Sequence, residues 1–500
     1  MPDRPFGTRR HRLFALLARY APRLAGSDRL IRFGVERLAR TRERRLDHAA
    51  LRDLGFAGRP RTFYDHHRCH AAAAYYASGF AERHARTLVI TYDGSGDGLC
   101  ASISVVDSGG WRRLHTINSY HSLGLLYSRI TLLLGMKPLE DEYKVMGMAP
   151  YADPKRGAAV RDILRGYVRL TDDGLSTINV SRSWGASMVA KLAHDLRGQR
   201  FDWIARGVQV HFEEVMLGLV LGWVRQTGVR AVVLGGGAFM NVKLNMLLAQ
   251  HEEIEDLYVL PSCGDESIAL GAAYLANEAA APGTSQPLGP LYLGPESGED
   301  EVQAALARYG GQVAYRRCQD IERTVAELLA EHRIVARCRG RMEWGARALG
   351  NRSILANPTR TTAIHRINRA IKMRDFWMPF CPSILDTHAP DYLLNPRCAP
   401  APYMILAFDS TPLAHEHLAA ALHPFDQTCR PQVVTEGLNP RFHALLRHFQ
   451  QLTGVGGVLN TSFNLHGEPI VATAEDCLYT LVHSDLDYLA LEDYLVWRAA

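Results

Sequence analysis

Two histidines four residues apart, His66 and His70, stand in the segment "FYDHHRCHAAAAYYASGF", whose alanine tail favours a helix. On a helix this spacing puts both imidazoles on one face, where they can share one metal ion, while His67 and Cys69 point elsewhere. Histidines so spaced also occur as ordinary surface or core residues, and spacing alone leaves both readings open. Carboxylates at chain turns extend the metal reading. Asp93 closes "LVITYD" just ahead of Gly94, and Asp265 follows Gly264 in "PSCGDES" before a small-residue helix. Two His and two Asp suit a divalent metal such as iron or zinc, with positions left over for a substrate oxygen.

Other groups fit anion chemistry. In "LGGGAFMN" the three glycines Gly235, Gly236 and Gly237 separate an apolar run from a helical pattern, so backbone amides can approach a phosphate, or the loop is simply a tight turn. Lys144, in "DEYKVMGMAP", offers a point charge to a phosphate or carbonyl oxygen, or is a solvated lysine. Further on, "GRMEWGARALGNRSILANP" and "NRAIKMRDFWMPFCPS" gather Arg341, Arg347, Arg352, Lys372 and Arg374 among Gly, Ser and Asn. Arginine forks pair with phosphate or carboxylate, which reads as an oxyanion pocket set against a solvated basic face. "NTSFNLHGEPIV" adds Thr461, Ser462 and Asn464 as small hydrogen-bonding groups at a strand end.

The elements that must position these groups follow from periodicity and punctuation. Residues 1–60 are Arg-rich with apolar residues at helical spacing, as on amphipathic surface helices. From Thr87 to Val106 the pattern predicts two strands joined by an Asp/Gly turn. "SLGLLYSRITLLLGM" predicts a helix, and "AVVLGGG" a buried strand running at once into the helix "AFMNVKLNMLLAQ". A Pro, Gly, Ser and Ala-rich stretch over 281–300 predicts a linker between an α/β domain at 61–280 and a second at 301–500. In the second, "RIVARC", "YMILAF", "VGGVLN" and "YLALED" read as strands.

Composition bounds the class. Five hundred residues, 47% apolar, suffice for two or three cores, and a net charge of +5 gives little reason to expect nucleic acid as the partner. The nine cysteines lie far apart with no CxxC pair, which fits a reducing compartment. The longest apolar runs, such as Ile130–Met136, fall short of a membrane span, so a cytoplasmic protein with no membrane partner is expected.

Taken in order, the motifs "DHHRCHAAAAYYASGF", "YDGSGDG", "SLGLLYSRITLLLGMKPLEDEYKVMGMAPY", "LGGGAFMNVKLN", "GDESIALGAAY", "GRMEWGARALGNRSILANP" and "VLNTSFNLHGEPIVAT" resemble the O-carbamoyltransferase family of nodulation protein U and the cephem and aminoglycoside carbamoyltransferases. The resemblance covers most of the chain from about Phe63 onward. It implies an α/β fold: an actin/Hsp70/sugar-kinase-like domain, similar to the tRNA threonylcarbamoyl-transfer proteins, followed by a YrdC-like domain. It further implies that the YrdC-like domain condenses carbamoyl phosphate with ATP to carbamoyladenylate and pyrophosphate, and that a hydroxyl of a small-molecule or sugar acceptor attacks the adenylate at the other domain, as in antibiotic biosynthesis. By the same resemblance His66, His70, Asp93 and Asp265 are Fe2+ ligands and Gly235–Gly237 with Asn241 form the nucleotide loop. Arg347, Arg352, Lys372 and Arg374 match the carbamoyl phosphate and ATP region, with Mg2+ accompanying the nucleotide. Lys144 and Asp93 are the groups expected to act in transfer.

Family members usually open with a strand and an HD-type turn well before the histidine motif, whereas here some sixty helical-looking residues precede His66. The first hairpin of the actin-like fold is therefore expected to be absent, so the chain is expected to be either completed by a complementing N-terminal polypeptide or impaired in transfer, and a homodimer is the other expected association. Ala346, Trp377–Met378 and His466 also depart from the family pattern. The competing expectations are a tRNA threonylcarbamoyl-type factor and a catalytically impaired scaffold subunit.

Overall fold

The computed structural model describes residues 16, 17, 19–21, 24, 51–56, 58–368, 371 and 375–499. Most of the expected N-terminal helical segment lies outside the described residues, as do Lys372 and Arg374. The chain divides into two compact units, Met1–Leu288 and Gly289–Ala500.

In the first unit, Thr87–Gly96 (β1) and Leu99–Asp107 (β2) form the expected hairpin, antiparallel from Thr87 opposite Val106 to Tyr92 opposite Ala101. The register shifts between Tyr92 and Gly96, so the Asp/Gly turn is bulged. A third strand, Gly110–Asn118 (β3), continues the meander, and Val168–Leu170 (β4) pairs with Thr177–Asn179 (β5) on the side. Ala231–Gly235 (β6) and Asp256–Val259 (β7) then join in parallel, giving the order β3-β2-β1-β6-β7 with β2 alone reversed. β1 and β6 read as unbroken apolar runs because helices cover them: His66–Ala77 packs on both, and Leu123–Leu133 packs on β1.

After β6 the chain does not enter a helix directly. Gly237–Met240 makes a 3-10 turn, and Asn241 caps the helix Val242–Gln250 by accepting the Leu244 N–H at 3.1 Å. A capping residue must leave helical backbone geometry to turn its side chain onto the helix, which delays the start by several residues.

The second unit is an eight-stranded mixed sheet. Its strands are Val313–Arg317 (β8), Val335–Cys338 (β9), Arg352–Ala356 (β10), Cys381–Leu385 (β11), Gln432–Val434 (β14), Gly457–Ser462 (β15), Tyr488–Leu491 (β16) and Tyr494–Arg498 (β17), in the order β14-β11-β15-β10-β9-β16-β17-β8. Leu393–Leu394 (β12) and Asp409–Ser410 (β13) pair separately. The expected strands "RIVARC", "VGGVLN" and "YLALED" appear as β9, β15 and β16. "YMILAF" is not a strand. Met404 takes φ 56, which breaks extended pairing, and the buried segment contributes an isolated Phe408–Cys429 bridge in place of a strand. Ile334, Ala336, Ile354, Leu459, Leu478 and Leu489 lie in the core of this unit.

Candidate metal centre

The first unit brings His66, His70, Asp93 and Asp265 together, with one ligand atom from each lying within 4.8 Å of the others. The two Nε2 atoms are 3.1 Å apart. Asp93 Oδ2 lies 3.2 Å from His66 Nε2 and 3.7 Å from His70 Nε2, and Asp265 Oδ1 is 3.5 Å from both.

Local sequence sets each position. Asp65 starts the histidine helix by accepting the Arg68 N–H at 2.8 Å, and the alanines that follow are buried, so the helix lies close on β1 and β6. Asp97, in the β1–β2 turn, accepts the His66 N–H at 2.9 Å. Beside it, Gly96 faces the His66 ring so closely that a Cβ would stand 2.1 Å from it. Asp93 leaves the end of β1's regular pairing, and its Oδ1 accepts the Gly94 N–H at 2.7 Å, which turns Oδ2 toward the histidines. Asp265 belongs to the turn that opens the helix Ser267–Ala280, which packs on the histidine helix. At that crossing a Cβ on Gly271 would lie 1.9 Å from the Cys69 carbonyl oxygen.

The electrostatics follow from crowding unlike groups in a half-enclosed site. Burial works against the Asp93 carboxylate, but hydrogen bonds from His66, His70 and the Gly94 N–H outweigh it and hold its pKa well below the usual carboxylate range. Burial likewise favours neutral His70, yet Asp265 and Asp93 overcome it and raise its pKa. His70 is fully enclosed, whereas the Asp265 side chain is 67% exposed, so the cluster opens on that side. Two imidazole nitrogens facing each other at hydrogen-bond distance, with two carboxylate oxygens beside them, form a donor set that a divalent cation would satisfy. His67 is not among these ligands: its Nδ1 lies 2.9 Å from the Thr91 hydroxyl, and burial, with His66 beside it, lowers its pKa to about 4.

The glycine loop borders this site. Gly235 would bring a Cβ to 3.0 Å from the His70 carbonyl, Gly237 to 3.0 Å from Asp93 Oδ1, and Gly236, at φ 93, to 2.4 Å from the Tyr92 carbonyl. Close packing against β1 and a positive φ therefore demand glycine at Gly236, while Gly235 and Gly237 leave only tight room for a side chain. The Asn241 amide pairs reciprocally with Gln209, at 3.0 Å in each direction, and the Tyr127 hydroxyl donates to Gln209 at 2.8 Å. Lys144, on the short helix Glu142–Met148, has its Nζ 3.2 Å from Asp141 Oδ1.

In the second unit, Arg352, Thr461 and Ser462 meet on the paired strands β10 and β15, where Ser353 faces Ser462 and Ile354 faces Thr461. Arg352 is fully buried and gives its terminal nitrogens to the carbonyls of Gly340, Asn351 and Pro295. Arg341 likewise donates to Gly294 and Leu293 carbonyls. Arg347 is half-buried in the preceding loop, and Ser462 donates to Asn464 at 2.7 Å. Sequence reasoning missed the organiser of this loop, Glu343. Its Oε1 accepts the N–H groups of Leu349, Asn351 and Arg352 at 2.7, 2.9 and 3.1 Å. A glutamate inside a Gly- and Arg-rich loop was the available signal.

Among the described residues no helix is long and apolar enough to cross a membrane, and all nine cysteines are free thiols. The chain is thus two α/β units, one of which carries a two-histidine, two-carboxylate cluster that could hold a metal ion at the turns of a mixed sheet. The carbamoyltransferase N-terminus family matches residues 46–274 and the carbamoyltransferase C-terminus family residues 326–498. The chain belongs to the carbamoyltransferase family and is one of its enzymes.

Nodulation protein NolNO of Sinorhizobium fredii is 34% identical over 442 residues, covering 87% of this chain and 64% of its own length. The chain thus spans a little under two thirds of that relative. Nodulation protein NolO of Bradyrhizobium diazoefficiens is 32% identical over 86% of this chain and 78% of its own length. Nodulation protein U of the same organism is 26% identical over 83% and 73%. Full-length HypF in its phosphate- and nucleotide-bound form aligns with 45% of this chain and 44% of its own at 18% identity, and its TM-score of 0.28 is too low to bear on the fold.

Proposed function

We propose that the chain makes carbamoyladenylate from carbamoyl phosphate and ATP and passes the carbamoyl group to a hydroxyl of a small-molecule or sugar acceptor in natural-product biosynthesis. The observation that carries the reading is the convergence of His66, His70, Asp93 and Asp265 in a chain of this family. The strand order β3-β2-β1-β6-β7 supports taking the first unit as part of an actin/Hsp70/sugar-kinase-like domain, and the second is taken as YrdC-like.

In the second unit, carbamoyl phosphate yields its phosphate to water, and a carbamate oxygen attacks the α-phosphorus of Mg2+-bound ATP. Pyrophosphate leaves and the mixed anhydride remains. Arg347, Lys372 and Arg374, with Thr461, Ser462 and Asn464, are assigned to holding these anions, while the enclosed Arg352, its terminal nitrogens taken by backbone carbonyls, is assigned to bracing their loop. At the first unit the acceptor hydroxyl oxygen bonds to the carbamoyl carbon, the bond to the AMP oxygen breaks, and the hydroxyl proton passes to a carboxylate oxygen. AMP is a good leaving group, so positioning carries much of this step. The amides of Gly235–Gly237 and Asn241 are assigned to the nucleotide, and Lys144 to a phosphate or carbonyl oxygen. Fe2+ held by the four ligands would add Lewis-acid polarisation of the carbonyl.

The test is to incubate the protein with ATP, carbamoyl phosphate, Fe2+ and a panel of hydroxyl compounds. Pyrophosphate is assayed, and mass spectrometry looks for a carbamoyl mass gain. Release together with a carbamoylated acceptor is expected. Release alone would remove the transfer half of the reading, and no release would remove the adenylation half.

A further inference from the structure

Ser267 begins its helix two residues after Asp265, and its side chain is fully buried. Its Oγ lies 3.0 Å from His70 Nδ1 and 2.8 Å from the Gly264 carbonyl oxygen. A hydroxyl carries one hydrogen and accepts through its lone pairs, whereas a carbonyl only accepts. When the hydroxyl hydrogen points to Gly264, a lone pair faces His70, and the imidazole must donate its Nδ1–H. A neutral imidazole protonated at Nδ1 has its free lone pair on Nε2. Nε2 is the atom that stands 3.1 Å from His66 Nε2 and 3.5 Å from Asp265 Oδ1. In the opposite arrangement, with the hydroxyl donating to Nδ1, the proton would sit on Nε2 and occupy the direction a cation needs.

We infer that Ser267 is a positioning residue of the metal centre, fixing the His70 ring and its Nδ1–H tautomer so that Nε2 is free to coordinate. The inference rests on the four-ligand reading of the site. One turn, Gly264 to Ser267, then delivers both the Asp265 carboxylate and the group that orients the histidine opposite it. Ligating histidines are commonly held in this way through their second nitrogen, and loss of the outer partner weakens the metal.

The full-length protein is freed of metal and titrated with Zn2+ against a competing chelator, as wild type and as Ser267→Ala and Ser267→Thr, with thermal melts of each metal-free form. Ser267→Ala is expected to lose about ten- to a hundredfold in Zn2+ affinity while melting close to wild type. Ser267→Thr, which keeps the hydroxyl, is expected to recover most of that loss. In zinc-loaded, 15N-histidine-labelled wild type, the His70 proton should report from Nδ1. Wild-type affinity in Ser267→Ala, or a His70 proton on Nε2, would overturn the inference. Should Ser267→Ala fail to fold, the tautomer measured in wild type decides alone. Wild type that binds no Zn2+, Co2+ or Fe2+ would instead bring down the four-ligand reading itself.

Discussion

In two residues of the candidate centre, His70 and Asp93, one side-chain atom is turned toward the cluster and another is tied down behind it. Asp93 gives Oδ1 to the Gly94 N–H and keeps Oδ2 for the site, so Asp93→Asn, which can turn an NH2 group inward, should cripple metal binding while leaving the fold intact. Bound metal, measured by elemental analysis after purification with Fe2+, is expected to fall from roughly one ion per chain to a small fraction of that. His70→Ala should behave alike, and His67→Gln should not, because His67 faces Thr91. Equal metal loss in His67→Gln would argue against the ligand assignment.

Two helices some two hundred residues apart in the chain hold the site, and at Gly271 their contact is closer than any side chain would allow. A methyl group at Gly271 would collide with the Cys69 carbonyl, so Gly271→Ala must push the helices apart. The expected cost is about 1–3 kcal/mol, as for other overpacked positions, read as a lowered melting temperature. Metal affinity should fall with it, since Asp265 lies just before that helix. The long helix Phe201–Thr227 makes a different kind of pin, in which His211 Nε2 donates to the Val168 carbonyl at 2.7 Å. Burial lowers the His211 pKa against the opposing help of that hydrogen bond. The unfolded chain therefore takes up a proton here, below about pH 6.5, that the folded chain resists. His211 thus makes stability fall as the pH drops below that value. His211→Gln should flatten this slope in denaturant titrations at successive pH values, and an unchanged slope would discount His211 as its source.

Two separate units invite separate tests. On the proposed function, Asp93→Asn should keep pyrophosphate release from ATP and carbamoyl phosphate near the wild-type rate and lose acceptor carbamoylation. A parallel loss of both would tie the two activities to one site. Much of the molecule was legible in the sequence. Helical spacing paired His66 with His70, chain turns offered Asp93 and Asp265, and the collinear motifs joined both carboxylates to the histidines. These features depend on short-range periodicity, which local residues carry. "YMILAF" looked like a strand because its composition is apolar, but composition cannot reveal the positive φ of Met404. The glycines of "LGGG" were read for what they could offer a phosphate, and the fold adds what they must avoid in the histidine helix and β1. Sequence by itself therefore determined the family, the candidate ligand types and the elements that carry them. Only the tertiary structure could decide that Ser267 backs His70, that Asp97 ties down His66, and that Glu343 gathers three amides of its loop. Those contacts depend on which backbones come within a few ångströms of one another, and residue spacing along the chain does not encode that distance.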